Sequence, residues 1–480
     1  MKTTVRNLCL IAVVCIFLLS GCTIRESFKH RCCHLCIPKH FQNVEEGTVP
    51  IDLWWEEFGN DDLNRLVGDA LRCNLDLKQA WHRLTQAREQ ACIQGASAYP
   101  HLDVTASALR SKAHGSNALG STRLFFAGES SYYSLTPTIS YEVDIWQKLQ
   151  SRACAAAWTA KASREDFEAT ALLLSGSVVD LWLTIQEQRE LYGLLQSQVD
   201  TNRTLVELLE LRFSVGEASA LDVYQQRQQL AATEAQVPPT LSLLETSHNS
   251  LQILLGQAPS ADLSSVTEAP LPELPPFPET DQPGALLMKR PDLRAAKARL
   301  AAADHEVAAA IADRFPQLNL SLSYEFSATT WGEIFNREIG TFLANLITPI
   351  IDGGRRRHEV CQRRAITCEL LNNYEQSFLN AVNDVENAIV QERYQLRFLE
   401  KLNEQIEAAQ ANLSEARYHY VNGLNDYLPV IAALTTYQIL ERRMISEKKI
   451  LLATRAQLYR ALGGGWTKNL CMTSCTKEYL

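Results

Sequence analysis

The sequence feature that most constrains the fold is an apolar pattern that occurs twice, in the stretches 147–213 and 354–420. In the first stretch the apolar residues alternate between spacings of three and four, which is typical of long helices that pack together. This seam comprises Phe167, Ala171, Leu174, Val178, Leu181, Ile185, Tyr192, Leu195, Val199, Val206, Leu209 and Phe213. A shift of 207 residues reproduces it from Tyr374 to Tyr420, with one polar interruption at Glu392. The chain therefore contains two copies of one unit.

Each copy predicts a helix that is longer than a globular core requires. At a rise of 1.5 Å per residue, a helix over 147–213 would measure roughly 100 Å. Such a helix has to pack along its length against other helices.

The net charge and the hydropathy of the chain indicate which partners and which kind of membrane segment can be expected. The net charge of −9 over 480 residues argues against a nucleic-acid partner. No run of 18 to 20 consecutive apolar residues occurs, so any segment that crosses a membrane should consist of β-strands.

The N-terminus has the features of a secretory signal at 1–21. Lys2 and Arg6 precede an apolar run that is too short to span a bilayer. The run ends in Leu-Ser-Gly-Cys, which resembles a bacterial lipobox and implies that Cys22 carries a covalent lipid as the mature N-terminus. The alternative is an ordinary signal followed by a chance cysteine. Thr23, in place of the aspartate of inner-membrane lipoproteins, points to the outer membrane.

A cluster of further cysteines follows in the tether. Cys32, Cys33 and Cys36 lie close to three histidines, but no second Cys/His pair at zinc-binding spacing completes a metal pattern. Disulfides or free thiols are the alternative, because the periplasm permits disulfides. We expect no metal site, and no cofactor apart from the covalent lipid on Cys22.

Each copy also contains two predicted strands, which follow an aromatic-proline step. The steps are Tyr99-Pro100 and Phe315-Pro316, where proline ends the preceding helix. About ten residues per strand suit a tilted strand that spans a bilayer, although a soluble antiparallel sheet has the same pattern. Apolar and polar residues alternate with a period of two in 101–112, 131–143, 317–328 and 339–351.

Four strands cannot close a barrel on their own. About eight strands is the usual minimum, and an open sheet edge in lipid would leave backbone N–H and C=O groups without partners. If these strands lie in a membrane, several chains must contribute to one barrel.

The remaining boundaries follow from these elements. Return helices are expected at 219–255 and 426–462, and Pro238-Pro239 predicts a kink or a break in the first of them. The predicted segments are a signal peptide at 1–21, a lipidated tether at 22–60, a first repeat at 61–256, a proline-rich linker at 257–285, a second repeat at 286–463 and a tail at 464–480.

Short motifs mark both ends of each long helix. Asp144-Ile145-Trp146-Gln147-Lys148 and Asp352-Gly353-Gly354-Arg355 stand at one end, and Phe213-x-x-Gly216 and Tyr420-x-x-Gly423 at the other. Glycine permits the positive φ of a helix terminus, so the chain turns back there. The cations near the helix starts are either a solvated surface or a contact with lipid phosphates. They are Lys148, Arg152, Arg355, Arg356 and Arg357.

The order of these elements resembles the outer-membrane factor family, the outer-membrane efflux proteins that include TolC and OprM, and in particular its NodT-like lipoproteins. The resemblance covers nearly the whole chain and rests on the doubling of helix, aromatic-proline step, two strands, junction, long helix and glycine turn. It implies a mainly α-helical protein with a membrane β-barrel portion. Three chains would pool four strands each into a 12-stranded barrel, which continues into a long α-helical barrel.

The resemblance further implies the exit duct of a tripartite efflux pump, a passive channel anchored by its lipid in the cell outer membrane and extending into the periplasm. The implied partners are two further copies of the chain, a periplasmic adaptor, an inner-membrane pump and outer-membrane lipid.

Family positions can be carried over to this sequence one by one. The tips that dock the adaptor match Phe213, Gly216, Tyr420 and Gly423. The periplasmic gate matches Asp222 and Leu428, although Pro429 and Ala432 replace carboxylates found nearby in the family. The barrel–helix junctions match Tyr99, Pro100, Trp146, Phe315, Pro316, Gly353 and Gly354, and Gln147 stands where the family has glycine.

We expect no enzymatic activity. The sequence contains no phosphate-binding glycine loop, no Gly-x-Ser-x-Gly elbow and no complete His-Glu-x-x-His motif. The alternative to an exit duct is a lipid-anchored coiled-coil scaffold that lies wholly in the periplasm.

Overall fold

The computed structural model describes Phe41 and residues 53–119, 122–259, 270–278 and 283–470. Helices dominate, and one antiparallel sheet accompanies them. The described chain forms two units. The first comprises Thr85–Ala162 and Ala296–Asn373, and the second comprises the described residues of Leu35–Leu84, Ser163–Ala295 and Tyr374–Leu480. The signal peptide, Cys22 and the cysteine cluster of the tether lie outside the described residues.

The helices follow a similar order in the two copies. Those of the first copy are α1 Asp61–Cys73, α2 Leu75–Ala96, α3 Lys148–Ser214, α4 Ala220–Glu234 and α5 Val237–Leu254. Those of the second copy are α6 Leu286–Lys289, α7 Pro291–Ala312, α8 Arg355–Val421 and α9 Leu428–Leu462. Short 3-10 helices lie at Trp54–Phe58, Pro283–Ala285, Trp331–Asn336 and Trp466–Asn469.

The first return segment is broken into two helices, α4 and α5, whereas the second is the continuous helix α9. Pro238 and Pro239 fall in the first turn of α5. Proline is tolerated there because the first N–H groups of a helix have no partner within the helix. The same prolines could not continue α4, so the chain ends one helix and starts another.

The sheet belongs to the first unit and contains four antiparallel strands in the order β1-β2-β3-β4. Their bounds are β1 His101–Leu119, β2 Thr122–Val143, β3 Gln317–Ala328 and β4 Glu338–Ile347. The β1–β2 hairpin is longer than predicted, because the strands stay paired up to Leu119 and Thr122. β4 ends before the predicted limit of 351. The pairing of β2 with β3, from Tyr133↔Ala328 to Val143↔Leu318, joins the two copies.

Much of the predicted seam is buried in the second unit. Phe167, Val178 and Ile185 of α3 are fully enclosed, as are Phe378 and Val385 of α8. Burial of each large apolar side chain contributes about 1.5–3 kcal/mol, so the seam is a principal source of stability. The burial also explains one membrane-like feature. Among the described residues, α3 is long and apolar enough to span a bilayer, yet most of its apolar stretch is buried inside the protein.

The two copies differ at the residue that precedes each long helix. Gln147 has φ 59°, and its equivalent Gly354 has φ 84°. Both carbonyls accept the first helical hydrogen bond, from the Ser151 N–H at 2.9 Å and from the His358 N–H at 3.0 Å. The turn is therefore kept in the first copy although glycine is absent. A non-glycine residue in this left-handed region costs about 1–2 kcal/mol.

We expect Gln147→Gly to raise the free energy of unfolding by about 1 kcal/mol, because glycine adopts this φ without a steric penalty. Urea unfolding followed by circular dichroism measures the change. Gln150→Gly is the matched control, since Gln150 lies within α3. There the loss of a side chain from a helix should cost about 0.5–1 kcal/mol. Equal effects of the two substitutions would show that Gln147 is not strained.

Candidate functional site

The junction between the sheet and the long helices brings together residues of both copies within the first unit. The Trp146 ring stacks on the Phe315 ring, with centroids 4.8 Å apart. The Trp146 indole N–H donates to the Pro316 carbonyl oxygen at 2.7 Å. Tyr99, at the corresponding step of the first copy, is largely exposed and has no ring contact with the described residues. Of the two equivalent junctions, one is thus assembled within the chain.

Two of the junction cations are occupied by ion pairs. Arg356 lies 3.1 Å from Asp313 and 3.2 Å from Asp352. Lys148 is buried and pairs with Glu142. Asp352 also caps α8, and the hydrogen bond from the Arg356 backbone N–H is the main cause that lowers the pKa of its carboxyl group. These two cations are therefore not available to lipid phosphates, and the hypothesis of a lipid contact applies only to the remaining junction cations.

The neighbouring cations are exposed. Arg355 and Arg357 have no side-chain partner among the described residues, and they lie on either side of the paired Arg356. Ile350 and Ile351, between β4 and α8, are almost fully exposed. Exposed isoleucines next to free arginines match the boundary between the apolar layer and the headgroups of a membrane.

At the far end of the long helices, in the second unit, both turns have the same hydrogen bonds. The N–H of Gly216 donates to the Phe213 carbonyl at 3.0 Å, and that of Gly423 donates to the Tyr420 carbonyl at 3.0 Å. The residue after each glycine donates back to the last helical turn, at 2.8 and 2.9 Å. This pair of bonds is the Schellman arrangement, which requires a positive φ at the glycine. The φ values are 83° and 70°.

The four predicted tip residues differ in exposure. Phe213 is exposed, together with its neighbour Val215 and with Val421 and Leu424 of the second turn. Tyr420, in contrast, packs into the tip, because Arg212 lies 4.8 Å over its ring. The apolar surface at the tip therefore consists of Phe213 and the residues beside the glycines, whereas Tyr420 supports it from within.

The two predicted gate residues lie at the starts of the return helices. Asp222 forms a capping box with Ser219: the Asp222 N–H donates to the Ser219 hydroxyl at 3.2 Å, and the Ser219 N–H donates to the Asp222 carboxylate at 2.9 Å. Leu428 is the first residue of α9 and is 59% exposed. Pro429 fits the first turn of α9, where no N–H partner is needed. The described contacts of Asp222 thus stabilise a helix start, and its gate role stays a prediction.

A buried polar network near the tip was missed by the sequence reading. The Tyr427 hydroxyl donates to Gln226 at 2.8 Å, the Gln226 amide donates to Asn202 at 3.2 Å, and the Asn202 amide donates to Thr233 at 2.9 Å. All four side chains are buried. Burial is the main cause that raises the pKa of Tyr427 far above its usual range, so its hydroxyl keeps the proton that it donates.

Gln438 connects this network to α9. It exchanges two hydrogen bonds of 3.3 Å with Asn202 and accepts a third from Gln229 at 3.2 Å. Its backbone carbonyl accepts from Gln198 at 3.2 Å. The second return helix is therefore held to α3 and α4 of the first copy through neutral amide groups.

A polar residue at one position of the seam could have indicated this network. Asn202 stands three residues after Val199 and four before Val206, so it occupies a seam position. Its equivalent in the second copy is Ala409. An asparagine at a seam position specifies which helices pack together, at a cost in stability. The difference between the copies pointed to a contact that only the first copy makes.

The described residues offer little for catalysis or metal binding. A cleft of about 510 Å³ in the first unit is lined by five alanines of α2, α3 and α7 and by polar side chains such as Gln90, Arg152 and Glu306. No group of three or more His, Cys, Asp or Glu residues that could hold a metal ion occurs in the described parts of the chain.

Comparisons with known proteins agree with this arrangement. The family model described as "outer membrane efflux protein" matches residues 66–257 and 283–464. The pyoverdine export outer membrane protein OpmQ of Pseudomonas aeruginosa is 32% identical over 440 residues, which cover 90% of this chain and 92% of OpmQ. The probable outer membrane lipoprotein SilC of Salmonella typhimurium is 25% identical over 475 residues, covering 96% of this chain and 99% of SilC.

Solved structures show the same fold. The outer-membrane channel OprN superposes with a TM-score of 0.80 at 26% identity and covers 91% of this chain and 100% of its own. The open state of the MtrE outer membrane channel of Neisseria gonorrhoeae gives a TM-score of 0.78 at 21% identity, covering 93% of this chain and 99% of MtrE.

We expect Gln438→Leu to lower the free energy of unfolding by about 2 kcal/mol, because the buried amide of Asn202 and the half-buried amide of Gln229 lose a partner. Urea unfolding measures the loss. Gln457→Leu is the matched control on the same helix, since Gln457 is exposed. It should change stability by no more than about 0.5 kcal/mol. If both substitutions had the same small effect, the network would contribute nothing to the packing of α9.

Proposed function

The chain belongs to the outer membrane efflux protein family, and from this premise we propose that it works as a homotrimer whose pooled strands form a 12-stranded barrel in the outer membrane. Members of the family are outer-membrane efflux channels. The protein is accordingly an outer-membrane exit duct and a transport protein, not an enzyme.

The pooling of strands is supported by the two free edges of the sheet. β1 and β4 each pair on one side only, and every residue of β4 is exposed. Large apolar side chains on both edge strands, such as Val104 and Phe342, have no cover within the chain. Unpaired backbone groups in lipid cost several kcal/mol each, so these edges require strand partners.

The internal repeat indicates which partner completes the sheet. Within the chain, the return strand of the first copy, β2, pairs with the outgoing strand of the second copy, β3. The same rule applied between chains pairs β4 with β1 of the next chain. Such pairing would also place the exposed Tyr99 of one chain next to Gly353 and Gly354 of its neighbour. That junction has no aromatic stack within the described part of one chain. This continuation of one pairing rule is the observation that carries the proposal.

A periplasmic adaptor and an inner-membrane pump are the proposed partners. The exposed apolar residues beside Gly216 and Gly423 form a surface at the turns that follow α3 and α8. Asp222 and Leu428, at the starts of the return helices behind these turns, are the proposed gate. The alternative scaffold in the periplasm would leave the apolar edge strands in water, and family membership argues against it.

Lipid contributes at two places in this proposal. Cys22 carries a covalent lipid, in keeping with the lipobox-like sequence and with the relative named as a lipoprotein. Arg355 and Arg357 bind phosphates of anionic phospholipids at the periplasmic rim of the membrane, next to the exposed Ile350 and Ile351.

Substitution of the tip residues tests the duct. We expect Val215→Asp combined with Val421→Asp to leave a trimeric mass in detergent but to abolish export by cells, because charges replace side chains that are 65% and 71% exposed. Light scattering gives the mass, and accumulation of a pump substrate in cells reports export. The control pair Val215→Thr and Val421→Thr keeps the shape and should retain export. A monomeric wild type would refute the pooled barrel, and unimpaired export by the aspartate pair would refute docking at the tip.

Mass spectrometry tests both lipid roles. We expect the N-terminal peptide to carry an acylated Cys22, and native spectra to show retained anionic phospholipids. Arg355→Gln with Arg357→Gln should remove most of the retained lipid. Arg356→Gln is the matched control, because Arg356 is already paired with Asp313 and Asp352. Equal lipid retention by the double variant and the wild type would contradict the headgroup contact, and an unmodified Cys22 would contradict the anchor.

A further inference from the structure

The polar interruption of the seam in the second copy, Glu392, belongs to a buried ion pair. Glu392 of α8 is 4% exposed, and Arg455 of α9 is 3% exposed. The Arg455 guanidinium donates to both carboxylate oxygens of Glu392, at 2.7 and 2.6 Å. The equivalent residues of the first copy are Ile185 and His248, which are also buried. The second copy thus carries a charged pair where the first copy has none.

The pair has a third participant, the linker between the copies. Its described segment 270–278, which we call the strap, consists largely of prolines. Proline has no backbone N–H, so the strap can be held mainly through its carbonyl oxygens. The guanidinium of Arg455 donates to the Pro275 carbonyl and lies 5.2 Å over the Phe277 ring.

A second donor holds the next carbonyl of the strap. The Tyr459 hydroxyl donates to the Pro276 carbonyl at 2.8 Å. Tyr459 is held in turn by its stacking on Trp54, with ring centroids 5.9 Å apart. Burial is the main cause that raises the pKa of Tyr459 to about 12, so the hydroxyl remains a donor at neutral pH.

The strap also contacts the first copy. The N–H of Leu271, one of its few donors, reaches a carboxylate oxygen of Glu190 on α3 at 3.4 Å. Leu271, Leu274 and Phe277 pack against the core of the second unit. One short segment therefore touches α3 of the first copy and α9 of the second, and Arg455 connects it to Glu392 of α8.

We propose that Glu392 and Arg455 form a lock that fastens the strap across the two copies. Glu392 orients the guanidinium and compensates its charge, which frees one N–H group for the strap. Arginine suits this role because its planar group can bind a carboxylate at two points and a carbonyl at a third. Any movement that separates α3 from α8 and α9 in this unit must break the lock or carry the strap with it. The polar break in the seam is thus a fastening site, and the linker is a brace between the copies.

Exchange of the pair for the residues of the first copy tests the lock. Glu392→Ile combined with Arg455→His removes the fastening without leaving a lone buried charge. The readout is cleavage by a glutamate-specific protease at the Glu273–Leu274 bond, since Glu273 is the one glutamate of the strap, is exposed and is not followed by proline. Loss of a hydrogen bond from a charged group should speed this cleavage about tenfold in the intact full-length protein.

Two further variants separate release of the strap from general destabilisation. Arg455→Lys keeps the charge opposite Glu392 but cannot make all three contacts, so it should fold and also be cleaved faster. Glu168→Gln weakens another buried ion-pair cluster, with Arg164 and Arg294, which does not touch the strap. It should leave the rate at Glu273 unchanged. Wild-type cleavage rates in both lock variants, or an equal acceleration by Glu168→Gln, would overturn the proposal.

Discussion

Burial of the apolar seam along α3 and α8 is the interaction on which the rest of the structure depends. Helix propensity alone does not hold a helix of 67 residues in one conformation, and most helical stability in proteins comes from packing of an apolar face. Because apolar packing is nonspecific, the polar residues in the seam decide which helices meet. Asn202 selects α4 and α9, whereas Glu392 selects Arg455 and the strap. Both are buried groups that tolerate few other partners.

The sheet, unlike the seam, is not completed within one chain. Its edge strands enclose no core within one chain, and their backbone groups have no partner on the outer side. A single copy of the chain thus buries much of its seam but leaves its sheet with two unpaired edges. The junctions are likewise only partly formed within one chain: Trp146 and Phe315 stack on each other, whereas Tyr99 is exposed. The assembly proposed above therefore depends on the strands and their junction rather than on the seam.

Much of this architecture could be predicted from periodicity, and the misses have physical causes. The repeat placed the long helices to within one residue, because a seam extends over many turns. The β1–β2 hairpin was underestimated, since small polar residues continue a strand without a clear alternation. The left-handed turn at Gln147 was not predicted, because glutamine rarely adopts a positive φ and therefore does not indicate one. The amide network, the pairing of Arg356 and the packing of Tyr420 depend on contacts between distant segments, which local patterns do not contain.

The tip turns close through bonds between backbone atoms, and each demands only a glycine at one position. The exposed apolar side chains beside that glycine, Val215, Val421 and Leu424, make no hydrogen bond that closes the turn. These side chains can consequently be substituted without a change in the structure of the helical hairpin that carries them. With the docking proposed for these tips, a few surface substitutions would exchange one partner for another, while the long helices and the strands stay the same.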